Sequence, residues 1–367
     1  MTLGIILSIG GSFSDYKKNG QLERLNYYLE KYNKTFEKVF VFSYLNEKAT
    51  LPKNCILIPN KFRIHRYLYT ILMPFIERKY VKECSVLRVT QITGSTPGVV
   101  SKILFKIPFI ATYGFDYSSF ANIEGQKLAF ALINILKPIW LKFASAIIVT
   151  NKKIKNILAN TVSKNKLIYI PNGVDIKLFK PKVSNVIGNI VKIIFVGRLA
   201  RQKNLECLIK AVDKSKHKKI IKIVFIGEGP EKEKLQALAK NLNINLNISP
   251  FRPLEDLPKV YQESDIFVLP SVIEGHPKVI LEAMACGLPV IATRVEGITE
   301  ILQDNYNGLL SKPNDESDLS DKIDKLISDK PLAEKVINNA LETVLNNYSL
   351  SNLLDSEVKL LEKYAKS

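Results

Sequence analysis

Cysteine is scarce in this chain, and the four present, Cys55, Cys84, Cys207 and Cys286, form neither a CxxC pair nor a metal-ligand spacing. That excludes a disulfide framework and a zinc module, and leaves the thiols as buried apolar groups of a reducing, cytoplasmic compartment. Histidine is scarcer still at three, and His65 and His217 stand isolated, the latter within DKSKHKK, as solvated side chains. Long apolar runs are missing. The richest stretch, residues 128–149, is broken by Lys137, Pro138 and Lys142 and falls short of a spanning helix. The opening MTLGIILSIGG has no basic leader and ends in glycines where a first strand would meet its loop, so no signal peptide is expected. Short-period repeats and low-complexity tracts are absent as well.

Acidic residues are lacking in one half only. Residues 1–180 hold 27 Lys and Arg against 10 Asp and Glu, while residues 181–367 hold 26 against 25, so the first half carries +17 of the net +18. A basic half beside a neutral one suggests that the first half meets something anionic, a membrane surface or a charged acceptor. A solvated basic surface without a partner is the plainer reading of the same numbers.

What is present is the alternation of an α/β protein. With 367 residues, 46% hydrophobic and 24% charged, the chain is soluble in composition and long enough for two cores. Strand-like runs at 3–9, 39–42, 55–58, 86–89, 109–111, 146–149 and 167–170 interleave with helical patterns such as 21–31 and 126–143. After a linker at 171–189, marked by Asn172-Gly173, Pro181 and Gly188, strands at 193–196, 223–226, 246–248, 266–269 and 289–292 interleave with helices at 205–214, 230–242, 254–263 and 278–286. The last fifty or so residues are helical, with Asp315 and Ser317 as starting caps. The expected fold is therefore two doubly wound, Rossmann-like α/β domains, 1–180 and 181–367, facing each other across a cleft, with the final helix a candidate to pack back on the first.

Two loops carry the chemistry. Residues 271–293 read SVIEGHPKVILEAMACGLPVIAT, with Glu274 and Glu282 on either side of a helix start. Gly275 lets a ligand come close, and Pro277 suits the first helical position, where its missing donor costs nothing. The loop GRLARQKN follows the first strand of the second half, and its Arg198 and Lys203 can reach one diphosphate over the following helix start. Fixed cations there would stabilise a departing nucleoside diphosphate by a few kcal/mol, on the order of one transition-state contact. Carboxylates beside an anionic donor must face its sugar hydroxyls while the cations take its phosphates. Taken alone, the basic loop reads equally as two solvated surface cations, and Glu282 as a salt-bridge partner.

Together these pieces resemble the retaining GT-B glycosyltransferases of family 4, the glycosyl transferases group 1. The similarity runs through the GR…KN loop, Gly227-Glu228-Gly229-Pro230, DIFVLPS at 265–271, the Glu274-x7-Glu282 pair, GLPVIAT, EGITEIL, NGLL and Pro171-Asn172-Gly173-Val174-Asp175. The resemblance implies that Arg198 and Lys203 hold the donor diphosphate. It implies that Glu274 and the following amides contact the transferred sugar, that Glu282 binds ribose, and that Gly10 and Gly11 form the first-domain loop facing donor phosphate and acceptor. It also implies retention of anomeric configuration and no bound metal or other cofactor, in keeping with the lack of a DxD sequence.

The chain departs from that pattern in places. Where many members carry a first-domain histidine, IPFIATYGFDYSSFA offers Tyr113 and then Asp116 as candidates beside the acceptor hydroxyl; Asp116 reads equally as a turn former next to Gly114. Pro250-Phe251-Arg252 stands where base-reading backbone is expected, and His276 and Lys278 are candidates to tune sugar choice. Segments 61–80 and 126–143 mix cations with aromatic and aliphatic residues, so peripheral binding to an anionic membrane is expected, although a core-facing stripe would look the same. The leading expectation is transfer of a hexose or N-acetylhexosamine from a nucleotide sugar, UDP-linked first and GDP-mannose second, to a cell-surface glycan or lipid-linked acceptor. A nucleotide-sugar epimerase or phosphorylase of the same fold is the enzymatic alternative. A non-catalytic basic binding protein is the other, and no nucleic-acid module supports it.

Overall fold

The computed structural model describes residues 1–114, 116–118, 125, 127–181 and 190–366. The chain divides into two units, Met1–Pro171 with Asn352–Ser367, and Asn172–Ser351. The division falls after Pro171 and not at residue 180, because Val174 already bonds into the second unit: its amide donates to the Tyr348 carbonyl (2.9 Å) and its carbonyl accepts from Leu350 N (2.9 Å). Gly188 and Asn189 of the expected linker lie outside the described residues.

The first unit is a seven-stranded parallel sheet in the order β3-β2-β1-β4-β5-β6-β7. Its strands are β1 (Thr2–Ile6), β2 (Lys38–Phe42), β3 (Cys55–Ile58), β4 (Val86–Val89), β5 (Phe109–Tyr113), β6 (Ala146–Val149) and β7 (Leu167–Tyr169). The runs TLGII and AIIV are buried along their whole length, as strands covered on both faces must be. The first strand stops at Ile6, three residues earlier than the apolar run suggests, because the chain folds back with Gly11 N on the Ser8 carbonyl at 2.7 Å. Two short helices, Thr96–Phe105 and Lys152–Leu158, were not expected, since Pro97 and Gly98 in one and a lysine-rich face in the other mask the periodicity. The helix expected at 126–143 is Lys127–Phe143, its residue 126 lying outside the described residues.

The C-terminal helix Leu350–Ala365 carries the chain back into this first unit, where Val358 and Leu361 join the core around Leu3, Ile5 and Leu29. A buried ion pair fixes it. Arg88 Nε donates to Glu357 Oε1 at 2.6 Å, with side chains only 8% and 6% exposed. Tyr32 Oη donates to the same oxygen at 2.6 Å, and Arg88 Nη2 reaches Thr112 Oγ1 at 2.7 Å. Burial, with the Glu357 charge added, pushes the neighbouring Tyr28 phenol up to about 12.

The second unit is a six-stranded parallel sheet in the order β10-β9-β8-β11-β12-β13. Its strands are β8 (Val191–Val196), β9 (Ile221–Ile226), β10 (Leu246–Ser249), β11 (Ile266–Leu269), β12 (Val290–Thr293) and β13 (Leu309–Ser311). The last of these, inside NGLL, is too short to show as a strand in the sequence. Helix Leu205–Lys214 buries Leu205, Leu208, Ile209 and Val212, spacings of three and four that put one stripe on the sheet. Each such side chain, fully buried, stabilises the unit by roughly 1.5–3 kcal/mol.

Glu357→Ala should destabilise the first unit by about 3–5 kcal/mol, because it strands the Arg88 guanidinium in the core without a counter-charge. Replacing both partners by apolar residues, Arg88→Met with Glu357→Leu, should cost far less. Urea unfolding followed by a first-unit probe measures both, and equal losses in the two variants would contradict the latch.

Candidate functional site

The second sheet reverses its strand order between β8 and β11. Loops leaving the carboxyl ends of those two strands diverge, and a crevice opens there in doubly wound sheets. The GRLARQKN loop leaves β8 and the acidic loop leaves β11, so the fold delivers both chemistry-bearing segments to one spot.

Backbone contacts between glycines bring the loops close. A Cβ on Gly227, at the end of β9, would lie 1.9 Å from the Gly197 carbonyl oxygen, so only glycine allows the β8 and β9 loops to touch. Leu199 N donates to Glu228 O at 2.9 Å across the same contact. Gln202 then stitches the basic loop to the acidic one: Val272 N donates to its carbonyl (3.0 Å) and its Nε2 donates to Ile273 O (2.7 Å).

This framework sets Lys203 Nζ on Glu274 Oε1 at 2.5 Å, the side chains 16% and 8% exposed. Ser271 Oγ donates to the same oxygen at 2.7 Å, and Thr293 Oγ1 at the end of β12 donates to the Ser271 carbonyl. The cation and the carboxylate, expected on separate parts of a ligand, thus meet each other. Glu274 Oε2 has no hydrogen-bond partner among the described residues. Lys203 keeps two further N–H donors, since an ammonium has three. Arg198 is exposed and has no ion-pair partner among the described residues. The result is a charge-compensated pair with one open carboxylate oxygen and spare ammonium donors, on the same loop as the exposed Arg198. Such a set can bind an anion and a hydroxyl side by side.

Behind the acidic loop stands Gly297. A Cβ there would lie 2.0 Å from the Gly275 carbonyl oxygen and 2.5 Å from that of Glu274, so the EGITEIL segment is the strut on which the Glu274 loop rests. Gly275 itself is buried. Pro277 takes an extended backbone (φ −71°, ψ 114°) and caps the helix Lys278–Ala285; it stands one place before the first helical residue, which is Lys278. Lys278 is half-buried at that helix start, where the first amides lack intrahelical carbonyls.

One expectation changes here. His276 cannot reach a sugar, because its ring points inward at 4% exposure against Tyr348, with centroids 5.4 Å apart, and neither ring nitrogen has a hydrogen-bond partner. Its carbonyl accepts from Asn172 Nδ2 at 2.6 Å, and burial pushes the imidazole down to about 3. Glu282 is 2% exposed and accepts from Tyr261 Oη at 3.0 Å, so part of its carboxylate is occupied by the protein itself. Phe251 is half-buried with its ring 3.4 Å from where a Gly227 Cβ would stand, and Arg252 is exposed beside it.

In the first unit, Gly10 (φ 69°) turns over the Arg66 side chain, and Gly11 leads into the helix Phe13–Lys18. The amides of Phe13 and Ser14 already donate to the Glu47 carboxylate at 2.9 and 3.0 Å, so that helix start holds an anion of its own. Tyr113 is a core residue at 4% exposure, its ring edge-on to Tyr117, because it ends a strand covered on both faces. Asp116 Oδ1 accepts from Ser118 N at 3.2 Å, the turn-forming arrangement that was its plainer reading.

Sequence reasoning missed Ser271, Gln202, Thr293 and Gly297 as supports of the site. DIFVLPS, GLPVIAT and EGITEIL contain three of them and were visible as motifs without roles.

Residues 178–343 match the model of the family described as glycosyl transferases group 1. Those residues form a domain of that family. An uncharacterized glycosyltransferase of Methanocaldococcus jannaschii is 34% identical over 170 residues, 46% of this chain and 44% of that protein. The alpha-1,3-N-acetylgalactosaminyltransferase of Campylobacter jejuni that is named for N,N'-diacetylbacillosaminyl-diphospho-undecaprenol is 26% identical over 346 residues, 90% of this chain and 87% of that one. Among solved structures, sucrose-phosphate synthase from Thermosynechococcus elongatus shares the fold over 100% of both chains, with a TM-score of 0.84 at 20% identity. Alignments to the first curated relatives span 44 to 66% of those proteins' lengths. The shared fold is a pair of Rossmann-like α/β units.

Two outcomes follow for this group 1 site. Gly297→Ala should displace the Glu274 loop and lower kcat/KM by about tenfold or more, the scale of an ångström's misplacement; a crystal structure with the loop unmoved and wild-type turnover would contradict the strut. His276 stays neutral in the folded chain down to about pH 3, while the unfolded side chain protonates below about 6.5. Its contribution to stability is therefore whole above pH 6.5 and is lost as pH falls toward 3, at up to about 1.4 kcal/mol per pH unit. His276→Phe should flatten the acid limb of a stability-versus-pH curve, and an unchanged limb would refute it.

Proposed function

We propose that the chain is a glycosyltransferase that moves a hexose or N-acetylhexosamine from a nucleoside-diphosphate sugar to a glycan or lipid-linked saccharide with retention of configuration. The single observation behind this reading is the Lys203–Glu274–Ser271 cluster at the carboxyl ends of β8 and β11, with the exposed Arg198 on the same β8 loop. Arg198 and the spare donors of Lys203 take the diphosphate, which assigns charge compensation to side chains and not to a bound metal. Glu274 Oε2 accepts from a hydroxyl of the transferred sugar. Glu282, steadied by Tyr261, and Phe251 with Arg252 lie toward the nucleoside, while Lys278 stands at the helix start facing the phosphates. Gly10, Gly11 and Asp116 belong to the acceptor side of the first unit.

In the reaction the bond from C1 to the phosphate oxygen breaks, and its electron pair goes to the diphosphate. The acceptor oxygen bonds C1 on the same face, and its proton passes to the departing oxygen. Positive charge fixed at Arg198 and Lys203 lowers the barrier because negative charge grows on the leaving group. Among the described residues no helix is long and apolar enough to cross a membrane. We place the reaction in the cytoplasm, at the membrane's inner face where a lipid-linked acceptor would lie.

A thermal-shift panel of nucleotide sugars, UDP-linked first and GDP-mannose second, tests the reading. A true donor at a hundred times its Kd should stabilise by about 2.7 kcal/mol. That shift should vanish in Arg198→Ala and fall in Glu274→Gln, and turnover with Arg198→Ala should drop by about 10²–10³. A shift retained in both variants would mean the donor binds elsewhere.

A further inference from the structure

We infer that one face of the first unit, built by three neighbouring helices, seats on an anionic lipid bilayer. The helices are Arg66–Ile76, Thr96–Phe105 and Lys127–Phe143; the middle one packs against both others, and Trp140 Nε1 of the third donates to Thr96 Oγ1 of the middle one at 3.0 Å. Each helix turns apolar side chains to water. On the first, Tyr69 and Met73 face the core while Ile71 and Phe75 stand 51% and 52% exposed. On the third, Trp140 and Leu141 are the buried anchors, and Leu128, Leu132, Ile135 and Ile139 form an outward stripe at helical spacing, with Ile135 65% exposed. On the middle helix Ile103 and Leu104 are exposed as well. Scattered exposed apolar residues are ordinary, but exposed apolar side chains on each of three helices packed side by side mark a surface meant to be covered.

The rim names the cover. Apart from the buried Arg88, residues 61–106 carry five lysines and three arginines against two glutamates, and residues 127–143 add Lys127, Lys137 and Lys142 with no acid. Of those glutamates, Glu77 is buried and Glu83 pairs with Lys38, so the surface offers positive charge almost alone. Apolar side chains ringed by cations match an interfacial layer, where the former enter the acyl boundary and the latter meet anionic headgroups. A second copy of the chain would bring the same positive rim against this one, and a nucleic acid would leave the apolar centre bare.

Sedimentation of the full chain with vesicles decides the matter. Protein should pellet with phosphatidylcholine vesicles containing phosphatidylglycerol at least about tenfold better than with pure phosphatidylcholine, and 0.5 M salt should weaken the binding. The double variant Phe75→Ser, Ile135→Ser should lose about tenfold or more, and Lys79→Glu should lose about fivefold or more, with unfolding midpoints unchanged. Leu345→Ser, an exposed apolar site in the second unit, should bind like wild type. Arg198→Ala should also bind fully, which separates this inference from the assigned transfer reaction. Wild-type protein recovered equally with and without anionic vesicles would overturn it. So would wild-type binding by the double variant, or a dimer that the double variant abolishes while vesicle binding stays absent.

Discussion

The site depends on one contact, the 2.5 Å ion pair between Lys203 and Glu274. A lone carboxylate at 8% exposure would be costly, and so would a lone ammonium at 16%; paired, and with Ser271 Oγ sharing the acceptor oxygen, they can sit in the crevice together. The pairing also answers an electrostatic difficulty in the proposed function. A diphosphate approaching two free carboxylates would be repelled, whereas one approaching a neutralised pair on a loop that also carries an exposed arginine is drawn in. The Lys203 ammonium can hold Glu274 and a phosphate at once because its three donors point apart.

Everything behind that pair is arranged to hold it. Gly227 against Gly197, Gln202 across to Ile273, Thr293 onto Ser271 and Gly297 under Gly275 tie four separate strand ends into one rigid patch. Rigid support matters here because a transferring enzyme gains from groups already aimed before the substrate arrives. The buried histidine beside the patch fits the same scheme. His276 fills space against Tyr348 and leaves the surface work to its neighbours.

Much of this was legible in the amino-acid order. Runs such as VKIIFV and IFVL, bounded by glycine, proline or acidic loops, mark parallel strands, and the two loops that carry the charge stand out by composition. What could not be read depends on distance or on direction. Arg88 and Glu357 are 269 residues apart, and no local pattern joins them. His276 and Lys278 are neighbours in an acidic loop, yet one points into the core and the other to the surface, a choice made by packing against Tyr348. Tyr113 reads as a loop residue because Gly114 follows, but β5 runs on to include it and buries its ring. The strand Leu309–Ser311 has three residues, too few for a period to appear.

The asymmetry of charge gains a physical meaning once the side chains are placed. The neutral half holds the charge-paired site, and the basic half exposes apolar helices with cations around them. The central claim, that the Lys203–Glu274 pair grips the donor, is tested most directly by a crystal structure of the protein with an intact or non-hydrolysable nucleotide sugar. The account predicts diphosphate oxygens on Lys203 Nζ and the Arg198 guanidinium, with a sugar hydroxyl on Glu274 Oε2. A donor bound away from the β8 and β11 loops, with the ion pair untouched, would contradict it.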